Sequence, residues 1–176
     1  MKRTFRYLSV CLLVVAACFI FSGCSDYRGD SKQVMDEINI SAQLKDNGDM
    51  AVTERWRVTL EDRDKSYRNF YRTFSNVDSK TGGITDFSVY DEDYQKQYSF
   101  EEGLSPYSST SSDQDKCYIY ESYGSTELGW FMPALDEGTR TFTIQYTIRD
   151  FVDVYDDTSV LYYQFMSSDF AMPRCV

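Results

Sequence analysis

From Ile38 onward, apolar and polar residues alternate along the chain. Ile38, Ile40, Ala42 and Leu44 occupy every second position against Asn39, Ser41 and Gln43, the period of a strand with one buried face. Lys45-Asp46-Asn47-Gly48-Asp49 then supplies turn chemistry, because Asn-Gly tolerates positive φ. Met50, Val52, Trp56, Val58 and Leu60 resume the alternation against Ala51, Thr53, Arg55, Arg57 and Thr59. The two runs predict a β-hairpin. Glu54 is the exception, a carboxylate on the apolar face.

The same reading extends downstream. Residues 61–65 form a charged loop, and Tyr67, Phe70, Tyr71 and Phe74 follow without a clean period, as an irregular segment or a short strand. Gly82-Gly83 opens a strand over 84–90 in which Phe87 and Val89 share a face. A turn at Asp91-Glu92-Asp93 leads to a second strand over 97–100, a further hairpin. Residues 105–115 are a serine-rich polar loop. A strand over 116–123 turns at Gly124 into another over 127–131, and Pro133 and Gly138 bracket the next turn. The cleanest alternation is 141–149, with Phe142, Ile144, Tyr146 and Ile148 inward and Thr141, Thr143, Gln145 and Thr147 outward. Residues 152–155 and 160–166 continue the pattern. No apolar stripe recurs at helical spacing, so the expectation is an all-β, antiparallel sandwich with hairpin connections over residues 34–176.

The first 24 residues read differently. Lys2, Arg3 and Arg6 precede a fourteen-residue apolar run, Leu8 to Phe21, the layout of an export signal. A bilayer core of about 30 Å takes roughly 20 apolar residues; the uncharged window from Tyr7 to Ser25 holds nineteen, which keeps an uncleaved anchor open beside cleavage and plain secretion. Phe21-Ser22-Gly23-Cys24 resembles the lipobox of bacterial lipoproteins, which implies lipidation at Cys24, with Phe21 standing where such motifs carry Leu. Residues 25–33 then form a short polar tether. Cys11 and Cys18 read as small apolar filler.

Composition narrows the function. The balance of 42% apolar and 26% charged residues is that of a folded domain, and about 150 residues after the signal suffice for one core. The net charge of −10 becomes −13 once Lys2, Arg3 and Arg6 leave with the signal, which disfavours nucleic acid as a partner. Histidine is absent, removing the commonest general base and transition-metal ligand. No cofactor is expected, and no enzyme.

Two segments carry a family pattern: Ile38-x-Ile-x-x-x-Leu-x-x-Asn-Gly-x-Met-x-Val-x-Glu54, and Thr141-Phe-Thr-Ile-Gln-Tyr with Asp157 and Leu161-Tyr-Tyr-Gln-Phe. Together they resemble the extracytoplasmic domain of the bacterial predicted membrane proteins of domain of unknown function 2207, over roughly residues 34–173. The resemblance implies an exported β-rich domain that precedes transmembrane helices. Here the sequence ends at Met172-Pro173-Arg174-Cys175-Val176, so the expectation is either a short variant held by its amino-terminal lipid or a fragment, with sheet edges left open. The resemblance carries no biochemical activity.

Candidate chemistry is sparse. Glu54 needs a hydrogen-bonded partner if its face is buried; Arg72 is the first choice, ahead of Arg68, with Tyr71 and Phe74 as cover, giving a structural ion pair. Cys117 and Cys175 could form a disulfide in an exported domain. Asp91-Glu92-Asp93, and Asp153 with Asp156-Asp157, offer hard oxygen ligands for calcium, and Tyr118, Tyr120, Tyr123 and Trp130 offer rings for wall sugars. Asp153 with Asp157 would be the carboxylate pair of a hydrolase. The leading expectation is a non-catalytic envelope lipoprotein, held to the membrane by lipid and meeting an envelope protein partner. A wall-glycan or calcium module is the alternative.

Overall fold

A computed structural model of the chain describes residues 32–61, 66–75, 77, 81–107, 109–154, 159–160 and 165, all within the compact unit Ser31–Val176. The first hairpin forms as its alternation predicts. Strand β1 (Lys32–Leu44) pairs antiparallel with β2 (Met50–Glu61), Leu44 opposite Met50 and Lys32 opposite Glu61. Lys32 and Gln33 therefore belong to β1 and not to a tether. Gly48 takes φ +86° in the connecting loop, as the Asn-Gly step requires.

The remaining strands are β3 (Tyr67–Ser75), β4 (Ile84–Asp91), β5 (Lys96–Gln97), β6 (Ser99–Phe100), β7 (Lys116–Ser122), β8 (Ser125–Leu135), β9 (Glu137–Ile148), β10 (Asp153–Val154) and β11 (Ser159–Val160). They build a five-stranded sheet, β1-β2-β9-β4-β5, and a four-stranded sheet, β3-β8-β7-β6, with β10 and β11 as a short ribbon. All pairings are antiparallel except β6 with β7. The protein is an all-β sandwich.

Three segments depart from the sequence reading. Residues 67–75 are a regular strand, because Phe70, Arg72 and Phe74 all point inward while Tyr71 and Thr73 point out; an arginine in an inward place disguises the period. Residues 97–100 do not form one strand. The chain leaves the first sheet after Gln97, buries Tyr98 between the layers and joins the second sheet at Ser99. Pro133 lies inside β8, not in a turn. Asn69 pairs with Phe131 but Tyr67 with Leu135, so β8 bulges there and the missing proline N–H costs no ladder bond.

The layers meet through aromatic rings. Trp130 of β8 is the hub, with ring centroids 5.5 Å from Trp56, 5.8 Å from Phe70 and 5.5 Å from Phe142. Offset and edge-on pairs of this kind add to the burial of their area. Phe74 packs edge-on against Tyr146 at 5.4 Å. In β4, Ile84 and Phe87 are both buried although three apart; Asp86 at φ +56° and a register shift between Thr85 and Ser88 absorb the extra residue, as a β-bulge does.

Candidate functional site

The alternation of β2 carries Glu54 inward to zero exposure. There Oε1 accepts from the Tyr146 hydroxyl at 2.6 Å, and Oε2 accepts from Trp56 Nε1 at 2.8 Å. Arg72 Nε of the facing sheet lies 3.4 Å from Oε1. The structure thus brings Glu54 and Arg72 together. Arg72 also donates through Nη2 to the carbonyl of Phe165 and sits 5.0 Å from the Phe74 ring. Phe74 is cover, as expected; Tyr71 is not, since the alternation of β3 turns it out to 57% exposure. Arg68 is exposed.

A second buried pair escapes the reading by residue type. Asp91, at the end of β4, is fully buried and accepts from Arg140 Nη2 and from the Tyr98 hydroxyl at 3.0 Å. Its Oδ1 accepts from the backbone N–H groups of Asp93 and Tyr94, each at 3.1 Å. Arg140 stacks on Tyr94, 3.8 Å from the ring centroid, a cation–π contact. The signal was period two itself: Asp91 continues Phe87 and Val89, and Arg140 precedes Phe142 in phase. Burial and the Asp91 carboxylate together push the Tyr98 hydroxyl far above its ordinary pKa.

The acidic turn at 91–93 is spent on internal donors. Glu92 takes a forked bond from Arg55, Nε at 2.9 Å and Nη2 at 2.8 Å, and a third from Thr143 Oγ1 at 2.7 Å. The Arg55 hydrogen bonds hold its carboxyl below the ordinary range. Asp93 accepts from the Thr141 N–H at 2.6 Å. Among the described residues no three such groups converge as a metal site would need. Of the other acidic candidates, Asp156 and Asp157 lie outside the described residues, as does the side chain of Asp153.

Cys117 is a free thiol with no exposed surface. Position 117 is inward on β7, opposite Trp130, where apolar burial pushes the thiol pKa up to about 12; the expected disulfide falls on Cys175, outside the described residues. Cys24 and Cys175 themselves lie outside the described residues.

The ring platform proposed from sequence is rearranged. Trp130 is core. Tyr118 is on the outer face of the second sheet yet has no exposure, because it lies across Gly129: a Cβ there would fall 2.1 Å from Tyr118 Cζ and 2.2 Å from its oxygen. Tyr118 stacks on Phe131 with centroids 5.3 Å apart, donates to Glu127 Oε1 at 2.7 Å and accepts from Asn69 Nδ2 at 3.3 Å. The rings that do reach solvent on this face are Tyr71 and Tyr107, the latter 84% exposed and edge-on to the half-buried Tyr120 at 5.8 Å. Tyr123 is fully exposed at the β7–β8 hairpin tip.

With this geometry in hand, the chain can be set beside known proteins. The family model described as predicted membrane protein (DUF2207) N-terminal domain matches residues 34–174. The chain belongs to this family. The match begins within β1 and covers the rest of the DUF2207 sandwich described above. Comparison with curated proteins and with solved structures gives no match. Among the described residues of this DUF2207 domain, no helix is long and apolar enough to cross a membrane.

Proposed function

We propose that the chain is a non-catalytic module of the cell envelope, exported under residues 1–23, held at the extracytoplasmic face by lipid on Cys24, and using its sandwich to meet an envelope partner. The observation that carries this reading is the order along the chain: a basic and then apolar leader, Ser22-Gly23-Cys24, and directly afterwards the domain matched to a membrane-protein family. Two acyl chains give durable anchoring where one gives marginal binding.

The two buried acids are read as structural. Glu54 and Asp91 are buried, and each has its oxygens occupied by donors of the fold. A general acid or base has to face a substrate, and these face the core. The experiment is fractionation of cells grown with a labelled fatty acid and expressing the full chain or its Cys24→Ala variant, with protease added to intact cells or spheroplasts. The expected result is a parent chain in the membrane fraction that protease digests from outside, and a variant that loses acyl label. A variant that keeps the label, or a parent shielded until lysis, contradicts the proposal.

A further inference from the structure

We propose that the outer face of the four-stranded sheet binds a neutral N-acetylhexosamine glycan, with Tyr71, Tyr107 and Tyr120 as stacking rings. This inference deepens the envelope reading above by naming the partner's chemistry.

The register fixes the arrangement. Tyr71 of β3, Gly129 of β8 and Tyr118 of β7 form one row across the sheet, and Thr73, Glu127 and Tyr120 form the next. Two strand spacings, about 10 Å, separate the β3 and β7 sides of the face, a span suited to more than one sugar ring. Gly129 and the flattened Tyr118 keep the middle low, since no side chain rises from position 129. Exposed apolar residues scattered singly are ordinary. Here Tyr71 and Tyr107 stand on either side of a level floor, and Tyr107 is braced by Tyr120.

The polar groups select the ligand. Glu127, half-buried, is an acceptor aligned by the Tyr118 hydroxyl, and Asn69, two residues from Tyr71 on the same strand face, holds Tyr118 through Nδ2 at 3.3 Å. Lys116, the cation of this face among the described residues, is already paired with Asp113 at 3.1 Å and Glu101 at 3.7 Å. A face of acceptors and rings on a chain of net charge −10 repels phosphate-bearing and acidic polymers. It suits pyranose rings, whose C–H faces lie on aromatics and whose hydroxyl and acetamido N–H groups donate.

The test titrates the full chain, purified in detergent, with N-acetylglucosamine hexamer and with a polyanion of matched length, read by calorimetry. The proposal expects saturable binding of the hexamer and none of the polyanion. Tyr71→Ala and Tyr107→Ala should each weaken binding by about fivefold, in line with the loss of one stacked ring, at unchanged Tm. Tyr123→Ala, at the hairpin tip, should leave binding as it is. No heat with the hexamer overturns the proposal, as does binding that survives the Tyr71→Ala/Tyr107→Ala double variant. Self-association lost on Tyr71→Ala would also overturn it, by giving the face to a second copy. None of these outcomes touches acylation of Cys24, so the envelope reading stands or falls separately.

Discussion

At the scale of single residues, the sandwich is organised by two acids that its strands force inward. A one-residue slip would invert every side chain of β2, so Glu54 cannot escape to water while Val52 and Trp56 stay buried. Its need for a partner was legible in the sequence, and so was Arg72 as that partner. Asp91 was not, because a run of three acidic residues reads as a solvated turn unless the phase of Phe87 and Val89 is carried one step further. Glu54→Ala removes the acceptor shared by Arg72, Tyr146 and Trp56 and is expected to cost about 3–5 kcal/mol, measured by urea unfolding. Replacing both Glu54 and Arg72 with apolar residues of similar volume should cost less; an equal or larger loss would contradict the pairing. Cys117 should resist alkylation in the native chain and react only in denaturant, since burial keeps its thiol neutral. Rapid labelling of the folded chain would contradict its placement.

Acid response belongs to the same scale. Glu92, Asp49 and Asp113 have carboxyl groups held below their ordinary values, Glu92 by Arg55, Asp49 by the Asp150 N–H and Asp113 by the Thr110 N–H. A depressed folded pKa means that the unfolded chain takes the proton first as pH falls. The stability these groups supply is thus fully present above about pH 5 and lost as pH falls through about 4 and below, around the unfolded carboxyl values. Melting temperature should be level from neutral to mildly acidic pH and then fall. A Glu92→Gln/Asp113→Asn variant should fall less steeply; parallel curves would contradict these assignments.

At the scale of elements, alternation located strands whose long apolar run outweighs a buried polar residue, as β2 does with Glu54, and missed those where a polar residue interrupts a shorter run. β2 was legible almost to its ends and β9 from Thr141 onward, its start at Glu137 reading as a turn at Gly138, whereas β3 was hidden by Arg72 and the β8 bulge by Pro133. The 97–100 segment changes sheets at Tyr98, a three-dimensional event without a one-dimensional period. Tyr118 and Trp130 dropped out of the candidate ring platform for a related reason: residue type placed them on a surface, but depth depends on what lies across them. Gly129 is the clearest case, since nothing local in Leu128-Gly129-Trp130 announces a ring lying over the backbone. Gly129→Ala must displace Tyr118 and is expected to cost about 1–3 kcal/mol, the range for overpacking. Adding Tyr118→Leu should recover part of the loss, and full additivity of the two changes would show that they are not coupled.

At the scale of the whole molecule, the family match is to the amino-terminal domain of a predicted membrane protein and the fold is a two-layer sandwich; the attachment proposed at Cys24 would give that domain its place in the cell. That proposal rests on the sequence more than on the fold, because a signal-like run and a lipobox-like motif are read locally, whereas a binding face emerges only when strands are laid side by side. The most direct measurement is the intact mass of the chain extracted from membranes, followed by that of its amino-terminal peptide. The account predicts a peptide that begins at Cys24, heavier than its sequence by a diacylglyceryl group and resistant to thiol alkylation. A peptide beginning at Met1, or one beginning near residue 24 with an unmodified cysteine, would contradict it.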